Sequence, residues 1–166
     1  MWDSIGGSLP RMLKKIQKGS KSRGGRYGII ASKYNSRYVD GMLRAARKEL
    51  KEADAEAVKV VRVPGAFEIP VVAASMAEGR GGEFDALICL GVILKGETSH
   101  ADHIGSAVTD ALALIQVDHL IPVIHEVLVF DNEEQARVRC LGRETNRGME
   151  AAQTAMAMVQ TMKKLT

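Results

Sequence analysis

The residues best suited to chemistry lie in Gly91 to His100, GVILKGETSH, where Glu97, Thr98, Ser99 and His100 follow one another. Before them runs Ala86 to Leu90, almost wholly apolar. After them an amphipathic stretch begins near Asp102, with Ile104, Val108, Leu112 and Ile115 at helical spacing. Such an apolar run reads as a strand buried on both faces, as in a parallel sheet covered by helices. Open α/β sheets bind ligands between the C-terminal end of a strand and the start of the next helix, where free amides favour an anion. An imidazole at that place, His100, titrates near neutrality and can pass protons to and from nitrogen or oxygen. His103 is one turn further on, facing helix neighbours. The pair lacks the Asp, Glu or Cys companions that would complete a zinc site, so no metal is expected. Gly91 and Gly96 bracket the expected turn.

A second group is Arg139, Arg143 and Arg147, repeated every four residues. On one helix they would share a side, either as a solvated face or as a set of guanidinium forks for a phosphate. Cys89, in the apolar run, and Cys140, in a helix, have no metal-ligand company and read as reduced core thiols. No Gly-X-Gly-X-X-Gly follows the first strand and there is no Walker-type lysine loop, which argues against dinucleotides and nucleoside triphosphates.

The elements that must position these groups alternate along the chain. Strands are expected at Tyr27 to Ala31, Ala57 to Val63, Phe84 to Leu90 and His119 to Ile124, the last irregular or at a sheet edge because of Pro122. Helices are expected at Val39 to Leu50, Val71 to Glu78 (ended by Arg80 to Gly82), Asp102 to Val117, Asn132 to Cys140 and Asn146 to Lys163. The first of these carries Arg44, Arg47, Lys48, Glu49 and Lys51 on a face that reads as solvated. Between the second strand and its helix lies PGAFEIP, Pro64 to Pro70, a stiff connection able to present backbone amides and carbonyls. Four β-α units predict a three-layer α/β/α sandwich around a mostly parallel four-stranded sheet, flavodoxin-like in class.

The 166 residues carry a net charge of +3, but residues 1–26 hold seven cations against Asp3, which leaves −3 for residues 27–166. The chain therefore divides into a basic arm, residues 1–25, flexible or briefly helical over Pro10 to Lys18, and a folded domain, 26–166. Nucleic acid is an unlikely partner for that mildly acidic domain. No apolar stretch is long enough to span a membrane and no signal peptide is evident, so a cytoplasmic location is expected.

From Arg26 to the C-terminus the chain resembles lumazine synthase. Four signatures in order carry the resemblance: Ser32-Lys33-Tyr34-Asn35, PGAFEIP, GVILKGETSH, and Asn132 to Arg139 followed by Asn146-Arg147-Gly148. It implies a cofactor-free condensation of 5-amino-6-(D-ribitylamino)uracil with 3,4-dihydroxy-2-butanone 4-phosphate to 6,7-dimethyl-8-ribityllumazine, releasing phosphate and water, a step of riboflavin biosynthesis. It also implies roles. His100 would move protons and Arg139 would hold the phosphate, together with Glu97 and Thr98. Tyr34 would lie on the pyrimidine where the family usually has phenylalanine. Ala66, Phe67, Glu68, Ile93 and Leu94 would line the ribityl and ring pocket, with Asn35 and Arg147 completing the substrate contacts. Sites of this family lie between subunits, His125 and Arg139 arriving from the next protomer, so a homopentamer is the smallest expected active unit. Pentamers could stay free, pair, or close into a shell.

The segment Val123 to Phe130, VIHEVLVF, departs from the family pattern at His125, Glu126, Val129 and Phe130. These residues support a second reading, a non-catalytic flavin- or lumazine-binding protein on the same scaffold. A third, from the basic arm, is a shell-forming protein that contacts RNA.

Overall fold

A computed structural model describes residues 24–79 and 83–165. Strands β1 (Arg26–Ser32), β2 (Ala57–Val63), β3 (Ala86–Leu94) and β4 (Val123–Phe130) form one sheet in the order β2-β1-β3-β4, all parallel. Helices α1 (Ser36–Glu52), α4 (Glu133–Leu141) and α5 (Arg147–Lys163) cover one face. Helices α2 (Ile69–Ala77) and α3 (His100–His119) cover the other. This is the expected three-layer α/β/α sandwich. Residues 1–23 of the arm and the Arg80 to Gly82 stop signal lie outside the described residues.

The pattern of residues explains the layers. β1 and β3 occupy the middle of the sheet; β3 is apolar throughout and β1 is apolar between Arg26 and Ser32, so each feeds both cores. Ile29, Ile88 and Leu90 pack under α1 and α5, while Ile30, Leu87 and Cys89 pack under α2 and α3. With so few aromatics, the helices contribute alanine. Ala151, Ala152 and Ala155 of α5 are fully buried and let it lie close to α1. Gly148 is the closest point, because a Cβ there would drive into the backbone of Met42. Gly148→Ala should therefore destabilise the domain by about 1–3 kcal/mol, the usual range for overpacking, read as a lower urea midpoint with an unchanged slope.

Two boundaries differ from expectation. β3 continues through Gly91 to Leu94. Gly91 does not begin a turn; its missing side chain makes room for Ile69 and Val127, which a Cβ would approach at 3.1–3.2 Å. β4 begins at Val123, not His119, because α3 runs on to His119 and closes on Leu120 in the left-handed region, φ 51°. Pro122 thus precedes the strand and still contributes its carbonyl, which accepts from the Leu87 amide at 2.8 Å.

Candidate active site

The sheet is parallel, so the loops after β1, β2 and β3 emerge at one end, and they are tied together there. The Lys33 amide donates to the Val63 carbonyl at 2.8 Å and the Tyr34 amide to the Pro64 carbonyl at 3.0 Å. Asn35 takes the left-handed conformation, φ 54°, and its side-chain amide donates to the Val92 carbonyl at 2.8 Å. Asn35 is thereby a bracket between the first loop and the end of β3. The Tyr34 ring is largely exposed and lies over Gly65, where a Cβ would meet it at 3.1 Å. The Gly65 amide donates to Glu68 Oε2 at 2.8 Å, so Glu68 closes the turn of Ala66–Glu68. Phe67 projects outward, 61% exposed, while Ala66 is buried beneath it.

Ile93 and Leu94 end β3, and Lys95 to Ser99 leads to His100, the first residue of α3. Glu97, Thr98 and His100 are all exposed. The His100 amide donates to Thr98 Oγ1 at 3.4 Å, and Ser99 Oγ lies 3.2 Å from His103 Nε2. The loop is anchored by Lys95. Its amide donates to the Phe130 carbonyl, and its ammonium sits 3.4 Å from Asp102 and 3.0 Å from Asp131. Both carboxylates hold the Lys95 ammonium above the usual lysine range, with Asp131 the stronger influence. Sequence inspection overlooked Lys95. Its partners stand 7 and 36 positions downstream, and no local pattern marks them.

Tyr34, Asn35, Ala66, Phe67, Glu68, Ile93, Leu94, Glu97, Thr98 and His100 therefore gather at one end of the sheet. His125, Arg139 and Arg147 do not join them. His125 sits in the middle of β4, opposite Cys89. Its Nε2 is 2.8 Å from Thr109 Oγ1, whose hydroxyl donates to the Gly105 carbonyl, also at 2.8 Å. That hydroxyl proton being engaged, Nε2–H is the donor to Thr109, and Nδ1 accepts from the Val127 amide at 3.4 Å. Burial lowers the His125 pKa, in keeping with this neutral tautomer.

Glu126 points the other way, toward α5. Arg147 donates to both of its oxygens at 2.9 Å and to Glu150 at 2.6 Å. Arg139 is half-buried on α4 and makes no hydrogen bond or ion pair with the described residues. The three arginines do not share one helix, because α4 stops at Leu141. Asn146 joins the two helices, donating to the Cys140 carbonyl at 2.6 Å and accepting from Gly148 and Met149 at the start of α5. Burial pushes both thiols, Cys89 and Cys140, up to about 12, which fits inert core cysteines. Among the described residues no three His, Cys, Asp or Glu side chains group as a metal site, and no helix is long and apolar enough to cross a membrane.

A profile of 6,7-dimethyl-8-ribityllumazine synthase matches residues 24–163. The chain belongs to the lumazine synthase family. It is 35% identical over 153 residues to a 6,7-dimethyl-8-ribityllumazine synthase of Thermococcus kodakarensis, covering 92% of this chain and 96% of that one. A synthase of the same name from Thermococcus gammatolerans is 34% identical over 153 residues, covering 92% and 97%. Within β4 of this lumazine synthase family member, two of the four residues singled out in VIHEVLVF have side-chain partners in the chain. His125 is held by Thr109 and Glu126 by Arg147.

Proposed function

We propose that this chain condenses 5-amino-6-(D-ribitylamino)uracil with 3,4-dihydroxy-2-butanone 4-phosphate to form 6,7-dimethyl-8-ribityllumazine, in sites built between protomers of a homopentamer. The observation that carries the reading is the split of the family's residues. One end of the sheet gathers the aromatic platform, the PGAFEIP turn and the His100 loop, while Arg139 stands unpaired elsewhere on the same chain. A neighbouring copy would bring its Arg139 to this chain's His100.

The steps follow from the chemistry of the groups. The pyrimidine lies on Tyr34 beside Phe67, and its 5-amino nitrogen attacks the ketone carbon. His100 takes a proton from that nitrogen and returns one to the departing hydroxyl, so that water leaves and the imine forms. Arg139, with the amides of Glu97 and Thr98, holds the phosphate and balances its charge as the carbon–oxygen bond breaks. That break is balanced by loss of the proton on the hydroxyl-bearing carbon beside the imine, taken by His100; the resulting enol becomes a ketone, and the ribitylamino nitrogen attacks its carbonyl carbon and closes the ring as a second water leaves. Ring association is supported by α3, which leaves Leu114, Val117 and Leu120 at 63–76% exposure, an apolar stripe that a neighbouring helix would cover.

The deciding assay follows phosphate release and product absorbance with both substrates present. Steady turnover supports the synthase; ligand affinity without turnover supports the non-catalytic binding protein. His100→Ala should lower kcat by roughly 10-fold to 100-fold, the lower part of the range for acid–base groups, since bound proximity retains most of the acceleration. The pyrimidine Kd should hardly change. A silent His100→Ala beside a severe His125→Ala would move the proton-transfer role to His125.

A further inference from the structure

The outer face of α1 is more than a solvated surface. Arg44, Arg47, Lys48 and Lys51 stand at positions i, i+3, i+4 and i+7 and, with Ala55 and Val58, line an open concavity of about 500 Å³ between the helix and edge strand β2. Lys48 has a loose ion pair to Glu52 at 3.8 Å, both ends exposed. Arg44, Arg47 and Lys51 make no ion pair or hydrogen bond with the described residues. Four cations around one hollow would repel one another without a counter-charge, and the neighbouring acids are fewer: Glu52 on α1, Asp54 after it, and Glu56, whose carboxylate accepts from the Gly25 amide at 3.4 Å.

The basic arm begins beside this hollow. The Gly24 amide donates to the Ala53 carbonyl, the Glu56 amide donates to the Gly25 carbonyl, and Tyr27 is paired in register with Val58 of the hollow's floor. Residues 1–23, which carry six cations against Asp3, therefore join the domain at the edge of its own cationic groove. The groove is thus a local basic patch on a domain that is acidic on balance.

We propose that this groove binds the phosphate backbone of a single-stranded nucleic acid, without sequence preference. Two unpaired guanidinium forks suit phosphate oxygens. Ala55 and Val58 give the floor neither an aromatic ring for stacking nor polar groups to read a base edge, so contact stays with the backbone. The same small floor gives a peptide side chain little to anchor on, whereas a nucleic acid brings a charge with every residue. A rigid duplex would rest on the rim; a single strand can enter. The function is separate from the condensation, since none of the four cations belongs to the proposed active site.

The test is fluorescence anisotropy of a short labelled single-stranded RNA of mixed sequence with the full chain, titrated from about 50 to about 200 mM salt. One variant combines Arg44→Gln, Arg47→Gln, Lys48→Gln and Lys51→Gln. Another replaces the arm's Arg11, Lys14, Lys15, Lys18, Lys21 and Arg23 by glutamine. The groove variant should lose at least about tenfold in affinity at low salt, and its salt slope should flatten by roughly 3, four contacts at about 0.7 each. Lumazine turnover and far-UV circular dichroism should stay as in wild type, since all four side chains are exposed. The arm variant should keep a salt-dependent remainder. An unchanged slope in the groove variant, with binding abolished in the arm variant, would overturn the proposal. So would equal competition by polyglutamate of matched charge, which would make the partner an acidic polypeptide.

Discussion

Arg147→Ala is expected to lower the stability of the folded chain by roughly 3 kcal/mol, the low end for breaking a buried ion pair. Its guanidinium grips both oxygens of Glu126, whose side chain is only 6% exposed, and removing it seals an uncompensated carboxylate between β4 and α5. The low end applies because the Arg147 side chain is itself 27% exposed, so water can partly take its place. Glu126→Gln should cost less. It keeps the shape and leaves Arg147 its bond to Glu150. The loss should also depend on pH. Burial raises the Glu126 pKa, with Arg147 opposing that rise, so deleting Arg147 raises it further. An acid with a raised folded pKa adds stability that is complete below its unfolded value, about 4.3, and is lost as pH rises through the folded value. The gap between wild type and Arg147→Ala should therefore narrow as pH falls from above neutrality toward the ordinary carboxylate range. Urea midpoints across that range decide it; a gap independent of pH would assign the loss to packing of the arginine stem rather than to the stranded charge.

The same pair shows where sequence reading stops. Element type and order were legible because apolar runs and helical periods are local signals. The helix expected from Asn132 starts within a residue of that position, with Asn132 as its cap accepting from the Gln135 amide at 2.9 Å. Glycine was misleading at Gly91, where it signals close packing inside a strand rather than a turn; the two uses look alike until the neighbours are known. VIHEVLVF resisted reading because it sets two adjacent polar residues in an otherwise apolar edge strand. His125 and Glu126 face opposite layers, and their partners lie 16 and 21 residues away. Of the site, the half built from consecutive loops was readable in GETSH and PGAFEIP. Asn35 reaching Val92 and Lys95 bridging Asp102 and Asp131 are long-range bonds with no local period. The arginine row illustrates the opposite error, since a four-residue spacing suggested one helix face and the chain instead breaks at Gly142.

Arg139→Ala is expected to raise KM for the phosphate substrate and to lower kcat, reducing kcat/KM by about 100-fold or more. A fork makes two charge-assisted hydrogen bonds, and at about 1.5 kcal/mol each they sum to roughly 3 kcal/mol, or about 100-fold. In the proposed roles the phosphate is charged before, during and after elimination, so Arg139 would bind ground state and transition state alike, while His100 would act chiefly as protons move. Arg139→Lys should recover only part, because an ammonium keeps the charge without the fork. Arg139 makes no ion pair or hydrogen bond with the described residues, whereas Arg147 is occupied by two carboxylates. If neighbouring protomers share each site, His100→Ala and Arg139→Ala chains should also complement one another. Unfolded together in equal amounts and reassembled, they would place an intact His100 opposite an intact Arg139 in about a quarter of the sites of a randomly mixed ring. Activity should return to about that fraction of wild type, while each variant reassembled alone stays low. If the mixture is no more active than the mean of its parents, the two residues do not meet across a subunit boundary and the shared-site geometry is wrong.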